Sequence, residues 1–130
     1  MTNFDRYQDF LRGVTSDASQ NNDAYLARIH DLCGQGLDFA RLDTALTGLA
    51  SESGEALDVL KKIKFQGKEL DSTVRGQLIS EAGDVLFYWT QLCMALGVDP
   101  LDVMEANVTK LSARYPGGVF SVDRSENRGG

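Results

Sequence analysis

A chain of 130 residues, 42% hydrophobic and 25% charged, is the size of one ordinary domain and too apolar to be read as disordered. Its formal net charge of −6 disfavours a general role on nucleic acid or on anionic membranes, while leaving room for a small phosphorylated substrate whose charge metal ions offset. No apolar run reaches the roughly 18–20 residues needed to cross a bilayer, and Met1 to Leu11 is too polar for a secretory leader.

Asn3 is placed to cap a first helix ending near Val14, with Phe4, Tyr7, Phe10, Leu11 and Val14 on its apolar side. The Ser/Asp/Asn-rich stretch Thr15 to Asp23 reads as a loop, and Ala24 to Cys33 as a second helix stopped by Gly34 and Gly36. A long third helix is expected from Leu42 to Phe65, its apolar line being Leu46, Leu49, Ser53, Ala56, Leu60 and Ile63. After the loop Gln66-Gly67-Lys68, Asp71 or Ser72 can cap a fourth helix. There Leu78, Ala82, Val85, Trp89, Leu92 and Leu96 alternate steps of four and three, the pattern of a bundle seam. Gly97 ends it. Asp99-Pro100 then starts a last helix, with Asp99 at the cap and Pro100 at the first helical position. That helix runs to Arg114, stopped by Pro116-Gly117-Gly118, and Ser121 to Gly130 reads as a flexible polar tail. With no convincing strand, the class is all-α: one domain over 1–120, then the tail. Cys33 and Cys93 show no CxxC spacing and read as buried free thiols of a reducing cytoplasm.

The chemistry is concentrated in Glu52 and Glu55 on the third helix and Glu81 and Asp84 on the fourth. Residues three apart on a helix are surface neighbours, with Cβ atoms roughly 5–6 Å apart, so each pair is a two-carboxylate claw. One such pair usually marks a solvated face. Two of them, facing each other in an antiparallel pairing, would offer four oxygen ligands to a hard divalent cation that also binds phosphate. Gly54 and Gly83 sit inside the two claws, and glycine in a helix interior costs about 0.5–1 kcal/mol relative to alanine; close helix approach or room for a ligand would explain them. Tyr88 falls on the same strip as Glu81 and Asp84.

Three segments carry a resemblance. Gly48-Leu49-Ala50-Ser51-Glu52-Ser53-Gly54-Glu55-Ala56, Glu81-Ala82-Gly83-Asp84-Val85-Leu86-Phe87-Tyr88 and Asn107-Val108-Thr109-Lys110-Leu111-Ser112-Ala113-Arg114-Tyr115-Pro116 occur in that order. Together they resemble the MazG-like, all-α nucleoside triphosphate pyrophosphohydrolases, and the opening Tyr7-Gln8 helix is similar to the short, single-domain phage and bacterial members. Ser51, Ser53 and Ser80 depart from the acidic or small apolar residues the family often shows there. The stretch Thr15 to Arg41 matches none of its motifs.

This resemblance implies a MazG-like helical bundle completed by oligomerisation, a tetramer built as a dimer of dimers. It implies hydrolysis of a (deoxy)nucleoside triphosphate to monophosphate and pyrophosphate in nucleotide-pool control, with a lean to a purine such as dGTP, in the cytoplasm or, for a phage protein, the host cytoplasm. Glu52, Glu55, Glu81 and Asp84 would hold Mg²⁺, with Mn²⁺ as a substitute, and Glu52 would take the proton of the attacking water. Asn107, Lys110 and Arg114 would grip the outgoing phosphates. Lys61 and Lys62, just after the first claw, could reach phosphate or stay solvated; Lys61 and Tyr88 are the further candidate substrate contacts, Tyr88 as a stacking ring, whereas Trp89 is expected in the core. No nucleic-acid or membrane partner is implied.

Two other readings compete. A di-iron bundle needs Glu-x-x-His pairs, and none exists here; the single histidine, His30, reads as a surface or core residue. A non-enzymatic helical assembly module with a solvated acidic strip is the second, and it predicts no metal-dependent nucleotide binding.

Overall fold

The computed structural model describes residues 1–127. Among them the chain forms α1 (Asn3–Val14), α2 (Asp17–Gln20), α3 (Asn22–Gly34), α4 (Phe39–Gln66), α5 (Ser72–Leu96), α6 (Pro100–Arg114) and α7 (Val122–Glu126), with no strand. The protein is all-α. None of the described helices is long and apolar enough to cross a membrane.

Local chemistry sets most of these boundaries. Thr2, one residue before the expected Asn3, caps α1 in a reciprocal box: its Oγ1 accepts from the Asp5 N–H at 3.1 Å, and its own N–H donates to Asp5 Oδ2 at 2.6 Å. Asp38, Asp71 and Asp99 cap α4, α5 and α6 by accepting from the backbone N–H groups of Arg41, Val74 and Leu101. Gly67 and Gly97 end α4 and α5 with φ of 66° and 64°, a left-handed conformation in which a side chain would be strained. The loop expected over Thr15–Asp23 instead holds the single turn α2, and α3 begins at Asn22 because Asn21 accepts from the Ala24 N–H at 3.0 Å. The segment read as a polar tail contains the short α7, capped by Ser121; its last three positions, 128–130, lie outside the described residues.

The dominant packing is α4 against α5. Only five residues, 67–71, connect them, so the two helices form an antiparallel hairpin. Arg41 near the start of α4 donates to Gln91 Oε1 near the end of α5, which fixes the register. Ala45 and Gly48 of α4 and Val74, Cys93 and Ala95 of α5 are buried. The expected seam is only partly inside. Leu78, Val85, Trp89 and Leu92 are half-buried, but Leu46, Leu60 and Leu96 stay exposed. A one-chain hairpin has two apolar flanks and can close only one. Likewise Cys93 is a buried free thiol, but Cys33 is exposed, because α3 has little packed over it. His30 is exposed.

Candidate functional site

Steps of three on α4 put Glu52 and Glu55 on one face, and the antiparallel register brings α5 past them with Glu81 opposite. Glu52, Glu55 and Glu81 each present an oxygen such that all three lie within 4.8 Å of one another; Glu52 and Glu81 are half-buried and Glu55 is exposed. Asp84, one turn further along α5, lies outside this trio, yet its charge reaches Glu52. Partial burial first, then the negative charges of Glu55, Asp84 and Glu81 and a hydrogen bond shared with Glu81, push the Glu52 carboxyl above its ordinary 4.5. Like charges held this close repel in the absence of a cation. The donor set is all carboxylate oxygen, partly shielded and convergent from two helices, which fits a hard divalent ion.

The acid row continues along α4 beyond Glu55. Asp58, three residues after Glu55, accepts from Lys61 at 2.5 Å and Lys62 at 2.6 Å. Hydrogen bonds from those two lysines, reinforced by their charges against a smaller effect of burial, hold its carboxyl down to about 2. Asp58 thus holds both lysines along α4, and of the two Lys62 lines the groove beside the trio. The Glu-x-x-Glu-x-x-Asp spacing was the available signal for Asp58. A groove of about 450 Å³ opens beside the trio, lined by Glu55, Asp58 and Lys62 from α4, Lys68 from the connection, and Gln77 and Glu81 from α5. Lys68 Nζ donates to Gln77 Oε1 at 3.4 Å.

At the other end of the row, Tyr88 lies against Gly48. A Cβ built on Gly48 would come within 2.2 Å of Tyr88 ring carbons, whereas nothing lies within 4 Å of one built on Gly54 or Gly83. The close helix approach is thus at Gly48; Gly54 and Gly83 face open space, Gly54 on the groove wall. Tyr88 is half-buried and meets Phe87 edge-on, ring centroids 5.0 Å apart.

The third motif stands apart. Asn107 and Lys110 line a cleft of about 460 Å³ with half-buried Trp89 and Val103 and exposed Met104 and Ala106, and no residue of the acid row borders it. Arg114 is half-buried in the last turn of α6. Within one chain α6 has little packing against the hairpin, so the structure does not bring Asn107, Lys110 or Arg114 onto the carboxylates.

The family model described as the MazG nucleotide pyrophosphohydrolase domain matches residues 41–119. That span holds the whole α4–α5 hairpin after its first two residues, all of α6 and every residue of the acid row. Comparison with curated proteins gives no match, and neither does comparison with solved structures.

Proposed function

The chain belongs to the MazG nucleotide pyrophosphohydrolase family, and from that membership we propose that it is a Mg²⁺-dependent enzyme cleaving (deoxy)nucleoside triphosphates to monophosphate and pyrophosphate, with a purine such as dGTP preferred. One observation carries the metal-dependent part: the convergence of Glu52, Glu55 and Glu81 oxygens within 4.8 Å of one another, from two helices inside the family match. Glu52, Glu55, Glu81 and Asp84 would hold the cation, Mg²⁺ or Mn²⁺. When bound it would neutralise phosphate charge and lower the proton affinity of a coordinated water.

The chain's own groups do the rest. A water oxygen attacks the α-phosphorus, the bond from that phosphorus to the oxygen bridging it to the β-phosphate breaks, and pyrophosphate leaves. Glu52, at the centre of the cluster, takes the water's proton. Asn107, Lys110 and Arg114 bind phosphate, and because α6 does not reach its own acid row, a second copy would deliver them. Tyr88 offers a ring to the base, and Lys61 a further cation. Residues 1–120 would act as a single domain, with 121–130 as a polar tail, in the cytoplasm of the cell or of a phage host. The deciding experiment is release of pyrophosphate from each of the eight common NTPs and dNTPs, with and without Mg²⁺. Metal-dependent release with dGTP ahead supports the reading; no release from any of them removes it.

A further inference from the structure

The α4–α5 hairpin is chemically polar along its length. Gly48 and Tyr88 stand at one end, where the ring lies directly on the glycine backbone. The carboxylate trio follows in the middle. Lys62, Lys68 and Gln77 close the other end around the groove. From Tyr88 to Glu81 is about 10 Å along α5, and from Glu81 to Gln77 about 6 Å, at 1.5 Å per residue. An aromatic end, an acidic middle and a cationic end, in that order, match a nucleotide laid lengthwise.

The cationic end is built. Gly67 turns the chain left-handed, and the Lys68 N–H donates to the Lys62 carbonyl at 3.2 Å, folding the connection back over the end of α4. The Lys68 side chain then crosses to Gln77 on α5. Lys62 is held by Asp58, which it shares with Lys61. A divalent cation on the trio would offset two of the four acidic charges of Glu52, Glu55, Glu81 and Asp58, leaving Lys62 and Lys68 to balance the other two. The site then suits a phosphate group met by metal and lysine together. Lys110 and Asn107 open onto the separate cleft at Trp89, whereas Lys62 and Lys68 line the groove beside the trio in the same chain.

Resting on the pyrophosphohydrolase reading above, we propose that Lys62 and Lys68 bind the terminal phosphates of the substrate and the departing pyrophosphate, so that the nucleoside points toward Gly48 and Tyr88. The two lysines thereby select triphosphates over shorter nucleotides and fix the direction in which the substrate lies.

The test uses the full chain with Mg²⁺ and compares wild type with Lys62→Ala, Lys68→Ala, Lys68→Arg and Lys68→Glu, circular dichroism confirming the helices. Calorimetry measures a non-hydrolysable α,β-imido triphosphate and the matching monophosphate; kinetics measures KM, kcat and inhibition by pyrophosphate. Each alanine variant should weaken the triphosphate analogue and pyrophosphate about three- to tenfold, a modest loss because solvent screens exposed lysines. Monophosphate affinity should stay within twofold. Lys68→Arg should restore most of the loss, and Lys68→Glu should deepen it. Unchanged triphosphate and pyrophosphate affinity in an active enzyme overturns the assignment, and equal losses for tri- and monophosphate reverse the direction of binding and overturn it too. A wild-type protein that hydrolyses no nucleotide brings down the functional reading and this assignment with it.

Discussion

Glu52→Gln should act in opposite directions on activity and on stability. Removing the ligand and proton acceptor should abolish most metal-dependent hydrolysis, as should Glu55→Gln, Glu81→Gln and Asp84→Asn, with helical content unchanged; wild-type turnover in all four variants would sink the site. Without metal, the same Glu52 variant should melt higher than wild type at neutral pH. The folded state raises this carboxyl above 4.5, so its ionisation opposes folding above that range and has no effect below the unfolded value. The gain should therefore fade as pH drops through the ordinary carboxylate range. Asp58 behaves in reverse. Held down to about 2 by Lys61 and Lys62, it stabilises the fold above its ordinary 3.8 and loses that contribution as pH falls toward 2. Asp58→Asn should flatten this part of the acid-unfolding curve, and a curve identical to wild type would show that the two ion pairs contribute nothing. These residues were unequally visible in the sequence. The four carboxylates stood out by spacing alone. Lys68 and Gln77 did not, because nine positions of separation become a contact only once Gly67 turns the chain.

At the scale of the helices, Gly48 is the position where α4 and α5 come closest to steric exclusion. Gly48→Ala would put a methyl 2.2 Å from the Tyr88 ring, so the ring or the helix has to move. A destabilisation of about 1–3 kcal/mol is expected, the usual range for overpacking, read as a lowered denaturant midpoint. Gly54→Ala has open space and should leave stability equal or slightly higher. If both variants unfold alike, the close approach at Gly48 is absent. Helix existence was legible because caps are local: aspartates at 71 and 99 and glycines at 67 and 97 act within a turn of themselves, whereas the Asp38 cap, which starts α4 at Phe39 rather than the expected Leu42, was not read. Helix faces were less legible. Periodicity marks Leu46, Leu60 and Leu96 as apolar-face residues, but not whether the partner of that face lies in the same chain. The glycines inside the claws are conspicuous by position, although the contact belongs to Gly48, one turn before Glu52.

For the whole molecule, exposed surface is the deciding quantity. One copy exposes 9974 Å², whereas a compact monomer of 14.2 kDa exposes about 6,800 Å². The excess, about 3,000 Å², is more than the roughly 1,000–2,500 Å² each partner loses in one obligate interface. It is distributed over separate stripes, among them Phe4, Phe10 and Val14 on α1 and Leu101 and Val108 on α6, each more than 60% exposed. Two interfaces per protomer, as in the proposed dimer of dimers, would account for both the amount and the distribution. Light scattering at micromolar concentration should show a tetramer, with activity lost on dilution. Because α6 does not reach its own acid row, mixing Glu81→Gln chains with Lys110→Ala chains should recover part of the activity that neither has alone. A fully active monomer would refute both expectations.

The five-residue connection that Gly67 makes between α4 and α5 also bears on how the molecule comes into being. A hairpin closed through so short a loop loses little chain entropy on closure, and its pairings are local enough to form early and fast. In the proposed assembly, burial of the apolar stripes outside the hairpin would wait for another chain. Refolding should accordingly split into a rapid phase indifferent to protein concentration and a slower one whose rate rises with it. A newly made chain would spend that interval as a preformed but inactive half-site searching for its counterpart, so the onset of activity would be timed by expression level rather than by folding.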